Sequence, residues 1–238
     1  VKPLVDECLK NNTITSIEIP DGVETIEKYA FYNCTSLDGK LVIEAGESKT
    51  ISDYAFQGCS KLTGLELGNG ITSIGVAAFS GCTGMTGDLV IPDSVTTISS
   101  NAFYGCSGFD GTLTLSAELT SLGSYVFRNC SGFTGELVVP DKLAILNYGV
   151  FAGMSGITSV VFGEGVTRIT VYSRTGSNYD YDNALYGMTG VTEVTFMGLT
   201  VPTIYNAYSS STSYSPFKFM TSLETVYVPA GVYSSYAE

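Results

Sequence analysis

The stretch "AFYGCSGF" (102–109) sets a small residue, an aromatic, a cysteine and a further apolar residue in a fixed order. Close variants stand at 30–37 (AFYNCTSL), 55–62 (AFQGCSKL), 78–85 (AFSGCTGM) and 126–133 (VFRNCSGF). The aromatic falls at Phe31, Phe56, Phe79, Phe103, Phe127 and Phe151, in steps of 25, 23, 24, 24 and 24 residues. Two degenerate copies follow, ALYGMTGV with Leu185 and PFKFMTSL with Phe217, after steps of 34 and 32. A repeat this short cannot bury its own apolar face, so successive copies must stack into a solenoid.

One period reads as three parts. The first is a strand such as GDLVIP (87–92), with Leu89 and Ile91 inward and Asp88 and Val90 outward. The second is a short extended piece carrying two apolar residues three apart, as in Val95 and Ile98 or Leu119 and Leu122. The third is the AFxGC turn, read as a helical turn ended by Gly or Asn, which tolerate left-handed backbone. The fold class expected is an α/β-type repeat solenoid. It is β-rich, with short helical turns and one parallel sheet of about nine strands, roughly 40 Å long at ~4.8 Å per strand.

The whole period, in ITSIEIPDGVETIEKYAFYNCTSL (14–37) and MTGDLVIPDSVTTISSNAFYGCSGF (85–109), resembles the BspA-like leucine-rich repeats. The closing SLETVYVPAGVYSSYAE (222–238) is similar to an ending common in that family. The resemblance covers almost the whole chain. It implies a right-handed leucine-rich-repeat superhelix from a bacterial secreted or cell-surface protein that mediates adhesion and protein–protein contact, and it supplies no catalytic residues. On this reading residues 1–13 form an N-terminal cap or truncated coil and 14–238 the solenoid, regular over 14–169 and irregular, Tyr/Ser-rich and capping over 170–238.

Composition narrows the function. The chain has 238 residues, 44% hydrophobic and only 14% charged, with 16 Tyr, no Trp and no His. Its formal net charge of −12 opposes nucleic acid and anionic membrane surfaces. No run of 18 apolar residues offers a membrane span. VKPLVDECLK (1–10) shows no signal-peptide pattern, as a mature chain would not. Without His there is no Ser-His-Asp or Cys-His arrangement, and the glycines belong to repeat turns rather than a phosphate loop. No enzyme activity and no cofactor are expected.

Cys34, Cys59, Cys82, Cys106 and Cys130 occupy one slot of the repeat, and later copies hold Met154, Met188 and Met220 there. Methionine can replace a buried apolar thiol but not half a disulfide, so the expectation is a stacked column of free thiols. Disulfides between coils are possible on distance, yet in-register side chains point the same way and five positions leave one unpaired. A metal site would need converging pairs such as CxxC with His, which are absent.

Two surfaces are candidates for binding a protein or glycoprotein, host or cell-surface. One is the outward column of the strands: Glu18, Val42, Glu66, Val90, Thr114, Val138, Val161, Thr195 and Tyr227. The other is an edge made by two insertions that enter before the AF turn in consecutive coils, carrying Tyr172, Tyr179, Asp180, Tyr181, Asp182, Tyr205, Tyr208 and Tyr214. Tyrosines flanked by Ser and Asn suit adaptable recognition. The same insertions could instead cap the apolar end of the solenoid. Asp180 and Asp182 fall short of the six to eight oxygens of a Ca²⁺ site. Alternatives are carbohydrate binding through stacked Tyr172, Tyr179, Tyr205 and Tyr208, and a structural spacer for another surface domain. Ligand identity and oligomeric state are not encoded in these patterns.

Overall fold

The computed structural model describes residues 17–20, 22–46, 48–171, 183–206 and 215–231. The first half holds β1 (Thr25–Ile26), β2 (Gly39–Ile43), β3 (Lys49–Ile51), β4 (Leu62–Leu67), β5 (Ile71–Ile74), β6 (Leu89–Val90), β7 (Thr97–Ile98) and β8 (Leu113–Thr114). The second half holds β9 (Ser121–Leu122), β10 (Gly135–Val139), β11 (Ile145–Leu146), β12 (Ile157–Phe162), β13 (Arg168–Val171), β14 (Glu193–Phe196), β15 (Thr203–Asn206) and β16 (Thr225–Tyr227). All pairings are parallel. This is a parallel solenoid, as the repeat requires.

The even-numbered strands are the expected sheet. With the bridge Ile19↔Ile43 they occupy nine rungs, hydrogen-bonded in the runs β2-β4, β6-β8 and β10-β12-β14-β16. The odd-numbered strands make a second parallel ladder, β1-β3-β5-β7-β9 and β11-β13-β15, where the sequence suggested only an extended connector. Between β9 and β11 the Asn147 amide donates to the Leu122 carbonyl at 2.7 Å, spanning the break in that ladder.

The AFxGC turn is not helical, and the described residues contain no helix. Its N–H groups alternate in direction. Ala30, Tyr32 and Cys34 donate to the carbonyl three residues back, while Tyr29, Phe31 and Asn33 donate forward to Asp53, Ala55 and Gln57 of the next coil. The cause is backbone handedness: the residues two before and two after the phenylalanine hold positive φ, as at Tyr29 (61°) and Asn33 (55°), Tyr54 (59°) and Gly58 (77°). A left-handed residue at each end prevents a helical ladder and turns N–H groups along the solenoid axis. The turns therefore form a third hydrogen-bonded column, which satisfies groups that would otherwise be buried without partners.

Inside, each slot of the repeat becomes a column. The rings of Phe31, Phe56, Phe79, Phe103, Phe127 and Phe151 stack with centroids 5.0, 5.4, 5.2, 5.4 and 6.0 Å apart and planes within 11°. Phe109 on Phe133 and Phe162 on Phe196 repeat the pattern at 4.9 Å. Cys59, Cys82, Cys106 and Cys130 are free and buried, and Met154, Met188 and Met220 are buried in the same slot. Each thiol donates to the carbonyl of the phenylalanine one coil back, Cys59 to Phe31, Cys82 to Phe56, Cys106 to Phe79 and Cys130 to Phe103, at 3.0–3.1 Å.

Cys34 departs from the expectation: it is disulfide-bonded. The reason lies in its place. Cys34 belongs to the first AF turn, the end of the column, so its sulfur has a copy of that turn on one side only. The free-thiol column is therefore Cys59, Cys82, Cys106 and Cys130.

One buried cation interrupts the apolar interior. β3 alternates strictly, so Lys49 faces inward in register with Ile71. Its ammonium donates to the Pro20 carbonyl at 2.9 Å and the Glu44 carbonyl at 3.1 Å.

Candidate binding surface

The outward column of the even strands is in register across each hydrogen-bonded run. Val42 lies beside Glu66, Val90 beside Thr114, and Val138, Val161, Thr195 and Tyr227 follow one another across β10, β12, β14 and β16. Glu18 is exposed on the rung before β2. Inward neighbours such as Leu137, Val160 and Val194 are fully buried, so these strands divide cleanly between core and surface.

The character of the face changes along its length. Toward the N-terminal end exposed Val90 stands among paired polar groups: Lys40 of the flanking column bridges to Glu66. Asp88 accepts the Thr112 N–H at 2.6 Å and its hydroxyl at 2.8 Å, which together hold the Asp88 carboxyl below its ordinary pKa. Toward the C-terminal end the face is apolar. Val138 is 49% exposed, Met197 50% and Tyr227 50%. Val138, Pro140, Val161 and Met197 share one open groove, rimmed by the Glu118–Lys142 ion pair. Exposed pairs of this kind add little to stability, so their effect is on what the groove attracts.

Of the edge residues, only Tyr205 lies among the described residues. It is exposed on β15, and the Arg168 guanidinium sits 5.1 Å from its ring centroid. Tyr172, Tyr179, Asp180, Tyr181, Asp182, Tyr208 and Tyr214 lie outside the described residues, as does the cap at 1–13. β13 and β15 pair in register through Val171↔Asn206, which sets these two strand ends side by side.

The thiol column offers no nucleophile. Burial pushes Cys59 and Cys106 up to about 12 and raises Cys82 and Cys130 as well, with neighbouring thiols adding to the effect at Cys82 and Cys130. A thiol held protonated neither attacks nor ligates. Among the described residues no group of three or more His, Cys, Asp or Glu could hold a metal ion, and no helix is long and apolar enough to cross a membrane.

A parallel solenoid that displays a flat, partly apolar sheet face belongs to the class of repeat scaffolds used for macromolecular contact. Residues 2–83 and 49–180 match the family described as BspA type leucine rich repeat region, in six copies, and the chain belongs to that family. Among solved structures it is similar to a leucine-rich repeat protein of T. pallidum, with 26% identity, TM-score 0.54, and coverage of 65% of this chain and 76% of that one. It is also similar to a leucine-rich repeat protein of Bacteroides ovatus, at 22% identity and TM-score 0.52, over 92% of this chain. The chain spans 61% of the length of that Bacteroides protein. A leucine rich cell surface protein of Faecalibacterium prausnitzii is similar over 97% of this chain and 83% of its own, at 18% identity and TM-score 0.38. No curated protein matches the chain. The family's repeat is a generic protein-interaction module.

Proposed function

We propose that this chain is a non-catalytic binding module, acting outside the cell or on its surface, that docks a protein or glycoprotein on the outward face of the even-numbered strands. The observation that carries the reading is the register of Val138, Val161, Thr195 and Tyr227, which with Met197 in the same groove sets exposed apolar side chains close together at the C-terminal end of the face. Contiguous exposed apolar surface beside charged rims is the signature of a partner site. The extracellular setting is supported by the Cys34 disulfide, a bond characteristic of oxidising compartments, and by family membership. Tyr205, exposed on β15, belongs to the second contact surface in this proposal.

The test is binding to an array of secreted proteins and receptor ectodomains, with wild type beside a Val138→Glu/Met197→Glu variant. Both side chains are exposed, so the fold should be retained. The proposal expects a partner whose affinity falls at least about tenfold in the variant. Partners bound equally by both proteins would contradict the assignment of this face.

A further inference from the structure

The outward face of the odd-numbered strands carries a second array. Thr25, Thr50, Ser73, Thr97 and Ser121 stand in register on β1, β3, β5, β7 and β9. The adjacent threonine column is engaged within the fold: Thr72, Thr96 and Thr120 donate to the carbonyls of Lys49, Thr72 and Thr96. The hydroxyls of Thr50, Ser73, Thr97 and Ser121 are different, because none makes a hydrogen bond among the described residues. Ser52 and Ser99 likewise make no side-chain hydrogen bond among them.

Four of these hydroxyls, those of Thr50, Ser52, Ser73 and Ser99, line a shallow depression. This open groove is also lined by Lys28 and Asp53. Gly75, also in its lining, lets two coils approach closely, since a Cβ there would meet the Asp53 backbone nitrogen at 2.5 Å. At its N-terminal end Lys28 pairs with Asp53 at 3.8 Å, and the ammonium lies 5.2 and 5.4 Å from the centroids of the stacked rings of Tyr29 and Tyr54. The Asp53 carboxylate is fixed by accepting the Val76 N–H at 2.8 Å.

We propose that this groove binds a neutral polysaccharide chain laid across the odd strands, along the solenoid axis. The chemistry decides the ligand class. Lys28 is matched by Asp53, so the site has no net positive charge for an anion, and a chain of net charge −12 repels polyanions. A Lys–Asp pair beside unbonded hydroxyls offers donors and acceptors together, which is what vicinal sugar hydroxyls require. Repetition at strand spacing, ~4.8 Å, calls for a ligand that repeats as well. A peptide strand gains nothing here, because a sheet face presents no unpaired backbone for β-addition.

The experiment is native affinity electrophoresis in gels containing soluble β-glucan, xylan or galactomannan, with polygalacturonate as the anionic comparison. Wild type is compared with Thr50→Val/Ser73→Ala/Ser99→Ala, which removes three groove-lining hydroxyls with little change of shape. The expected result is retardation by at least one neutral polymer and none by polygalacturonate. The triple variant should bind about tenfold more weakly or worse, with an unchanged melting temperature. Should the triple variant melt early, Lys28→Met alone decides, with weakened retardation expected. Absence of retardation in all three neutral gels overturns the proposal. So does equal retardation of wild type and a folded variant, or stronger retention by polygalacturonate.

Discussion

Replacing Phe103 by alanine removes a fully buried ring that stacks on Phe79 at 5.2 Å and on Phe127 at 5.4 Å. A buried Phe→Ala change costs about 3–5 kcal/mol from lost transfer energy and the cavity left behind. Phe103 belongs at the top of that range, about 5 kcal/mol, because no side chain can collapse into a column whose neighbours are fixed by their own hydrogen bonds. Phe31, at the start of the column, stacks on Phe56 alone among the aromatic neighbours in its slot, so its truncation forfeits one ring pair fewer, and each such pair is worth about 0.5–1.5 kcal/mol. Phe31→Ala is therefore expected to cost about 3–4 kcal/mol. Urea unfolding followed by far-UV circular dichroism measures both, since the chain has no Trp to report by fluorescence. A Phe103→Ala cost below about 2 kcal/mol, or one smaller than that of Phe31→Ala, would refute the stacked-column reasoning.

Three other outcomes follow from named contacts. Cys59 and Cys106 titrate near pH 9 when unfolded and at about 12 when folded, so the native state keeps protons that the unfolded state loses. Stability should thus be intact below pH 9 and decline toward pH 12, by about 1.4 kcal/mol per pH unit for each such thiol, and Cys106→Ala should flatten the alkaline limb of a melting-temperature profile. Asp88 has the opposite sign: its lowered pKa gives stability that is present above the ordinary carboxylate value of 3.8 and is lost as pH falls through the folded value. Asp88→Ala should accordingly lower the melting temperature at pH 7 and make progressively less difference as the solution is acidified below 3.8. Gly70 holds φ +103°, and a Cβ there would stand 1.6 Å from the Gly46 carbonyl oxygen, so Gly70→Ala should destabilise by more than about 2 kcal/mol in the same urea experiment.

The sequence made the coil count, the inward and outward sides of the even strands and the interchange of Cys with Met readable, because each rests on a period that recurs through the chain. The odd ladder was less legible for a definite reason. In Val95–Thr96–Thr97–Ile98 the apolar residues are three apart, so strand alternation is hidden although β7 pairs normally with β5 and β9. The turn looked helical because Tyr29, Tyr54 and Tyr125 are ordinary residues at positive φ, and nothing in their side chains announces it. Lys49 could not be assigned to the core from its type; only the register with Ile71 turns it inward. At the candidate surface the outward residues were foreseen, whereas the hydroxyl column of the odd strands was not, since its ladder had gone unread.

The claim underlying every column is that the repeated cysteine is a packing element in all coils but the first. Alkylation followed by mass spectrometry tests it directly. Native protein should take up no label at Cys59, Cys82, Cys106 or Cys130, while denaturation without reductant should expose these four and leave Cys34 unlabelled until a reductant is added. Labelling of Cys106 in the native state, or thiols still missing from the central four after denaturation, would contradict the account.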